Sequence, residues 1–176
     1  MASQLRVDKI VPVDGVPSGG GGGIVQVKSV SKTDTFSSNS TSYTDVTGLS
    51  VSITPKFSTS KILVMMHVQI GHDSNVAGFL RLMRDSTAIA VATDTSNRIA
   101  STVAMADDPT DDEINSTSMT FLDSPSTTSS TTYKVQMNTE GSGNTGYVHV
   151  NRSGEDADNN QNGRTCSTIT VMEVSA

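Results

Sequence analysis

The 176-residue sequence contains one cysteine, Cys166, and no tryptophan, and only 4% of its residues are aromatic. A single cysteine excludes an intrachain disulfide, and no Cys/His spacing typical of a zinc site is found. No apolar run approaches the ~20 residues that a membrane-spanning helix needs. Charged residues interrupt the first ten positions at Arg6, Asp8 and Lys9, so we expect no signal peptide there.

Positive charge is also scarce, because the chain has 12 Lys and Arg but 18 Asp and Glu, which gives a net charge of −6. Binding to nucleic acid or to an anionic membrane surface needs clustered Lys and Arg, so we expect neither partner. Apolar residues make up only 34% of the chain. That share predicts a thin core for a chain of this length, and it favours an oligomer whose subunits share apolar surface.

Serine and threonine are abundant, and both suit exposed strands and turns. Apolar and polar residues also alternate with a period of two, which is typical of strands with one buried face. No stretch of ten residues has an apolar stripe at helical spacing. The more continuously apolar stretch 61–70 predicts a central strand, buried on both faces or on one face plus a subunit contact. Turn signals separate the strands, and about 8–10 antiparallel strands predict an all-β jelly-roll sandwich. The predicted strands cover 24–30, 49–53, 61–70, 79–84, 88–92, 100–105, 117–122, 133–137, 147–151 and 168–172, with a short edge strand within 35–46.

Five consecutive glycines divide the chain. Such a run does not fit inside a strand, because each glycine loses much backbone entropy there. We therefore divide the chain into an extended N-terminal arm with its glycine linker, 1–23, and a head domain, 24–176. The linker glycines, expected to act as a hinge, are Gly19, Gly20, Gly21, Gly22 and Gly23. The arm carries apolar residues that suit docking on another protein's sheet edge, namely Leu5, Val7, Ile10, Val11 and Val13. A plain disordered tail is the alternative.

No catalytic constellation is evident in the sequence. His72 and Asp73 adjoin Ser74, but no nucleophile-elbow pattern surrounds that serine. His67 is interpreted as a structural histidine within a strand, and His149 is expected on the polar face of its strand. The glycine run is not followed by a lysine or a helix, which excludes a phosphate-binding loop. We expect no enzyme activity and no cofactor.

Two acidic stretches are interpreted as solvated loops. The first, DDPTDDE, holds five carboxylates in seven residues, and the second, GEDADNNQNG, starts like a calcium loop but lacks its later glycine and its helices. We expect no metal. The carboxylates that would bind a cation if one were held are Asp107, Asp108, Asp111, Asp156 and Asp158.

The sequence resembles virion structural proteins of marine phages, particularly those that infect cyanobacteria. The resemblance covers nearly the whole chain and is carried by SQLRVDKIVPVDGVPSGGGGGIVQV, TDVTGLSVSITP, SKILVMMHVQIG, GFLRLMRDSTAIAVA, TSMTFLDSPSTTSSTTYKVQ and RTCSTITVMEV. Proteins of this kind are described as tail-fibre or capsid-fibre components. Their domains are similar to the trimeric jelly rolls of the tumour-necrosis-factor and complement-head type, and the family has no catalytic residues to carry over.

The resemblance implies a non-enzymatic fibre or spike of the virion, assembled in the host cytoplasm. Its expected partners are two further copies of itself, other capsid or tail proteins, and a glycan or outer-membrane component of the host surface. The expected host-contact residues are His72, Asp73, Asn75, Asp111, Asp112, Asp156 and Asn159. The alternatives are a capsid decoration protein without a receptor, a phage-borne glycan hydrolase or esterase, and a trimeric lectin unrelated to phage.

Overall fold

The computed structural model describes residues 23–93, 96–140 and 146–175, and within them the chain forms eleven strands and no helix. The arm residues Leu5 to Val13 and the glycines at 19–22 lie outside these ranges. The first strand begins at Ile24, directly after Gly23. The strands are β1 Ile24–Lys32, β2 Phe36–Ser38, β3 Thr44–Ile53, β4 Lys61–His72, β5 Gly78–Arg84, β6 Thr87–Ile89, β7 Val103–Met105, β8 Asn115–Asp123, β9 Thr131–Thr139, β10 Val148–Val150 and β11 Ser167–Val174.

The strands form two antiparallel sheets. In the first sheet β8 pairs with one edge of β4, while β11 and then β10 pair with the other edge. Strand β1 lies beyond β11, and β2 lies beyond β10. In the second sheet the order is β3, β9, β5, and the free edge of β5 pairs with β7 and β6 in turn. This strand order is that of a double-sheet jelly roll, so the predicted fold class is confirmed.

The core lies between the sheets and follows the period-two alternation. In β4 the side chains of Ile62, Val64, Met66, Val68 and Ile70 are buried, and the residues between them face outward. Strand β11 adds Ile169 and Val171 to the same side of the core, and strands β3, β5 and β9 of the second sheet supply the opposing apolar side chains. The apolar residues of one sheet therefore pack against those of the other, as in other sandwich folds.

Several details differ from the prediction, and three of them bear on the fold. The stretch 61–70 is not buried on both faces, because Met65 is 41% exposed and His67 is also exposed. Strand β6 ends at Ile89 rather than continuing to residue 92, because Ala90 has a left-handed backbone with φ of 52°. Strand β3 begins at Thr44 and contains a bulge before Ser50, where Gly48 has φ of 87°. A glycine adopts that backbone without steric cost.

Across the described ranges, the fold includes no helical segment that meets the length and hydropathy needed to cross a membrane.

Candidate functional site

Loops that are far apart in sequence meet at one end of the sandwich. The backbone N–H of Asn75 donates to the carbonyl of Asp108 over 2.6 Å, and that of Glu155 donates to Asp111 over 2.7 Å. The N–H of Asp73 donates to the carbonyl of Tyr147 over 2.9 Å. We call this surface the loop end, formed by 73–77, 106–114, 146–147 and 151–166. It brings together the loops that carry the predicted host-contact residues other than His72.

The close approach of these loops explains why residue 154 is a glycine. A Cβ atom added at Gly154 would meet the backbone carbonyl of His72 and would lie 2.9 Å from Cβ of Asp111. Since neither neighbour is the far end of a flexible side chain, only glycine fits without movement. Gly154 therefore lets the 151–166 loop rest directly on the end of β4.

The predicted contact residues differ in accessibility. Asn75, Asp112, Asp156 and Asn159 are exposed, and Asp73 and Asp111 are half-buried. His72 is only 2% exposed, and its Nδ1 lies 2.8 Å from the carbonyl of Asp73. The prediction that His72 is a contact residue is therefore wrong for this structure. The histidine ends β4, and the chain segments of the loop end cover it.

Two acidic side chains of the loop end, those of Asp108 and Asp156, are held by protein donors. Oδ1 of Asp108 accepts hydrogen bonds from N and Oγ1 of Thr110, which lower the pKa of Asp108. Asp156 lies 2.5 Å from Nη1 of Arg164, and this hydrogen bond lowers the pKa of Asp156. Within 23–93, 96–140 and 146–175 no three His, Cys, Asp or Glu side chains form a group that could hold a metal ion. The candidate ligands Asp107, Asp108, Asp111, Asp156 and Asp158 do not converge there.

A shallow depression of about 340 Å³ opens among the residues of the last loop. Carboxylate, amide and guanidinium groups line it, from Asp156, Asp158, Asn159, Asn162 and Arg164. Oδ1 of Asn159 accepts hydrogen bonds from the N–H groups of Gln161 and Asn162, which shape the turn. The depression thus offers both donors and acceptors on an exposed rim.

Sequence reasoning missed a chain of hydrogen bonds that runs through His149. Its Nδ1 lies 2.8 Å from Oγ of Ser37, and its Nε2 lies 2.8 Å from Oδ1 of Asp73. We call Ser37, His149 and Asp73 the His149 cluster. His149 lies on the side of β10 away from the core, as expected, but polar groups cover it and its side chain is only 1% exposed. Ser37, at one end of this series of hydrogen bonds, is exposed.

The electrostatics of the His149 cluster fix its proton positions. Burial lowers the pKa of His149, so the ring is neutral at neutral pH. Burial also raises the pKa of Asp73, but hydrogen bonds from His149 and the Tyr147 N–H outweigh it and leave that pKa below its usual value. An ionised carboxylate only accepts, so Nε2 carries the proton and Nδ1 accepts from the Ser37 hydroxyl.

A second surface of interest is the outward side of the first sheet. Register places Val27, Met172, Leu63 and Leu122 side by side in one row across β1, β11, β4 and β8. We define the apolar face as this row and its apolar neighbours on the same side: Ile24, Val27, Leu63, Met65, Leu122, Met172 and Val174. The most exposed of them are Ile24 at 62%, Leu122 at 54% and Val27 at 50%.

The rows next to the apolar face carry uncharged polar groups. Ser29, Thr170, Met65 and Thr120 form the next row, followed by Ser31, Thr168, His67 and Ser118. A shallow groove of about 340 Å³ lies between these strands. By contrast, the outward side of the second sheet carries charges, such as the Lys134–Asp45 ion pair of 2.7 Å. The two outer surfaces of the sandwich are therefore chemically different.

No protein-family model matches the chain, and no curated protein matches it. Among solved structures, that of the Gx strain of infectious bursal disease virus is similar, with a TM-score of 0.44 and 17% identity over 85% of this chain and 39% of that one. A mutant VP2 protein of the same virus, in T=1 particles, gives 0.42 and 14% over the same shares. The chain thus spans about two fifths of the length of these structures. The likeness is too distant to bear on function, and the fold assignment rests on strand order and register.

Proposed function

We propose that this protein is a structural component of a phage particle, in which the arm anchors a trimeric jelly-roll head that contacts the host surface. The sequence resemblance to marine phage virion proteins supports the setting. The order of arm, glycine linker and head domain supports the division of roles. The arm residues Leu5, Val7, Ile10, Val11 and Val13 dock on a capsid or tail protein, and Gly19 to Gly23 let the head change its angle.

The apolar face is the observation that carries the proposal. Contiguous exposed apolar surface is unusual on a monomer and is typical of protein–protein contacts. Four strands about 4.8 Å apart and eight residues long present a surface of roughly 500 Å² in projection. A standard interface covers about 800 Å² per partner, so this side of the first sheet supplies the larger part of one contact between copies, with the apolar face within it. Shared burial there also offsets the low apolar content of the chain.

The absence of carboxylates from the described part of this face supports self-association. The chain carries a net charge of −6, so copies repel each other unless acidic groups lie away from the contact. Lys61 lies opposite Val174 at the edge of the face, and its Nζ donates to Oγ of Ser124 over 2.7 Å. Copies can therefore approach through the first sheet while the acidic loops point elsewhere.

The loop end is the surface that we assign to host contact. Exposed amide and carboxylate groups of Asn75, Asp112, Asp156 and Asn159 are suited to hydrogen-bond the hydroxyl groups of a surface glycan. The depression beside Asn159 and Arg164 is shallow and polar, which suits one or two sugar units. A decoration protein without a receptor is the alternative within the same class.

Sedimentation of single variants tests the trimer. Leu122→Glu places a charge at a 54% exposed position of the apolar face and should convert the trimer to monomer at micromolar concentration. Ser50→Glu is the matched control, because it adds the same charge to an exposed position on the outward side of the second sheet. A wild-type protein that sediments as a monomer, or a Leu122→Glu variant that stays trimeric, would contradict the role of this face.

Particle assembly tests the arm. Deletion of residues 1–17 should leave a folded, soluble head that no longer enters particles, as measured by quantitative mass spectrometry of purified virions. Normal incorporation of the truncated chain would refute the anchor. If particles that lack the head still adsorb to host cells at the normal rate, the head is a decoration and not an adhesin.

A further inference from the structure

We propose that the His149 cluster is a hydrolytic site for short-chain carboxylic esters, with Ser37 as nucleophile, His149 as general base and Asp73 as the positioning residue. A serine, a histidine and a carboxylate joined in series are recognised as a catalytic triad by geometry and role, since sequence order differs between unrelated folds. Both hydrogen bonds of the series are 2.8 Å long. This inference does not depend on the trimer or on the virion setting.

The fold holds each member in place. His149 and Ser37 are directly opposed in the β10–β2 register, so the ladder sets the distance between ring and hydroxyl. Asp73 is fixed by two backbone bonds with Tyr147, one of 2.9 Å from its own N–H and one of 2.8 Å to its Oδ2. Ser37 is exposed while the ring behind it is buried. A substrate can therefore reach the hydroxyl from solvent, while the ring lies buried behind it.

The positively charged guanidinium of Arg152 lies beside the proposed nucleophile. Nη2 of Arg152 lies 3.5 Å from Oγ of Ser37. The guanidinium is itself anchored, because Nη1 donates to the carbonyls of Ser153 and Gly154 over 3.0 and 3.1 Å. A fixed positive group beside the nucleophile stabilises the oxyanion that forms when an ester carbonyl is attacked. Arg152 takes the part that backbone amides play in other hydrolases.

The reaction proceeds in two balanced steps. Oγ of Ser37 attacks the ester carbonyl, its proton passes to Nδ1 of His149, and the alcohol leaves with that proton while the acyl group stays on Ser37. Water then attacks the acyl-serine, gives a proton to Nδ1, and the carboxylic acid departs as the proton returns to Oγ. The Nε2 proton stays bonded to Asp73, which stabilises the imidazolium during both steps.

The surroundings define the substrate class. Ser37 lies on an exposed edge strand beside Arg152, which itself lies 3.6 Å from Asp156, rather than in an apolar channel. An acetyl or similarly small acyl group on a polar alcohol fits such a surface, whereas a long acyl chain finds no apolar lining. O-acylated sugars combine these two properties.

The test uses the full chain with p-nitrophenyl acetate and a fluorophosphonate probe. We expect ester hydrolysis that falls by about 100-fold or more in Ser37→Ala, and covalent labelling of Ser37 detected by peptide mass spectrometry. Ser29→Ala is the matched control, since Ser29 is an exposed serine of the same sheet bonded to Thr170. It should keep wild-type hydrolysis and labelling.

The variant Asp73→Asn distinguishes a catalytic role of the His149 cluster from a merely structural one. An amide at this position donates to Nε2, moves the ring proton to Nδ1 and removes the acceptor for the Ser37 hydroxyl. Labelling of Ser37 should disappear while the variant stays folded by circular dichroism. Equal hydrolysis by wild type and Ser37→Ala, or no label on Ser37 in the wild type, would overturn the proposal. Retained labelling in a folded Asp73→Asn variant would also overturn it.

Discussion

The hydroxyl of Tyr133 donates a 2.7 Å hydrogen bond to Oδ2 of Asp123, and this bond joins the two sheets through the interior. Tyr133 is fully buried in β9, and Asp123 is 5% exposed at the end of β8. Nη1 of Arg84 completes the arrangement, at 2.9 Å from Oδ1 and 3.0 Å from Oδ2. Burial is the main cause that raises the pKa of Tyr133, with the Asp123 carboxylate adding to it, so the phenol stays protonated and acts as a donor.

Removal of this hydroxyl should weaken the sandwich. Tyr133→Phe leaves one oxygen of a buried carboxylate without its phenol donor, and we expect a loss of about 1.5–3 kcal/mol in the free energy of unfolding. Urea denaturation measures it. Tyr147→Phe is the control, because Tyr147 is 43% exposed and its change should be within about 0.5 kcal/mol. Equal effects of the two variants would show that the inter-sheet bond contributes nothing specific.

Glu173 predicts a dependence of stability on pH. Its side chain is buried in β11 and accepts hydrogen bonds from the N–H of Lys56 and the amide of Gln26, at 2.8 and 2.6 Å. Burial raises the pKa of Glu173, but these donors outweigh it and leave the pKa below the ordinary 4.5. A lowered folded pKa means that the contribution is complete above pH 4.5 and is lost as pH falls through the folded value.

The variant Glu173→Gln isolates this contribution. It should be less stable than wild type at pH 7, by about 2 kcal/mol, since one charged acceptor is replaced by a neutral amide. The difference should shrink below pH 4.5, because the wild-type carboxyl then also becomes neutral. Chemical denaturation at pH 7 and at pH 3 gives the comparison. A difference that stays constant with pH would contradict the proposed role of the charge.

Asn151 follows β10 directly and is buried with φ of 66°. Its Nδ2 donates to the carbonyls of Lys32 and Asp34 at 2.9 Å each, and its Oδ1 accepts from Ser167 at 2.6 Å. Asn151→Ala removes all three bonds and strains the left-handed backbone, so we expect a loss of about 2–4 kcal/mol. Asn151→Gly removes the same bonds without the strain. The melting temperature of Asn151→Gly should therefore lie between those of Asn151→Ala and wild type. A higher melting temperature for Asn151→Ala than for Asn151→Gly would refute the contribution of backbone strain.

Much of the fold follows from local alternation in the sequence. The period-two pattern of 133–137 and 168–172 survives in β9 and β11 because one side of each strand faces the core and the other does not. The same rule fails at β10, where Val148, His149 and Val150 are all buried. There one side faces the core, and Ser37 and Asp73 cover the other. The alternation within one strand does not show whether residues distant in sequence bury its other side.

The His149 cluster could not be found from the sequence for a related reason. Ser37 is 112 residues from His149, and Asp73 is 76 residues from it. No local motif accompanies any of the three. The sequence instead drew attention to the adjacent pair His72–Asp73, but the two side chains diverge because His72 turns into the buried end of β4. Only strand order brings β2 and β10 together.

The packing of the loop end predicts opposite outcomes for two glycines of the same loop. A Cβ at Gly154 meets the backbone of His72, so Gly154→Ala must push the 151–166 loop away from β4, and we expect a loss of about 1–3 kcal/mol. A Cβ at Gly163 meets nothing within 4 Å. Gly163→Ala should therefore be neutral or stabilising by up to about 1 kcal/mol, because it restricts the unfolded chain.

Hydrogen exchange of the two variants locates the effect. In Gly154→Ala the amide of Glu155, which donates to the carbonyl of Asp111, should exchange faster, as should the amide of Asn75, which donates to Asp108. In Gly163→Ala both amides should keep wild-type protection. If Gly154→Ala leaves these amides protected, the loops are not held together by the close contact at Gly154. The loop end would then owe its arrangement to the hydrogen bonds alone.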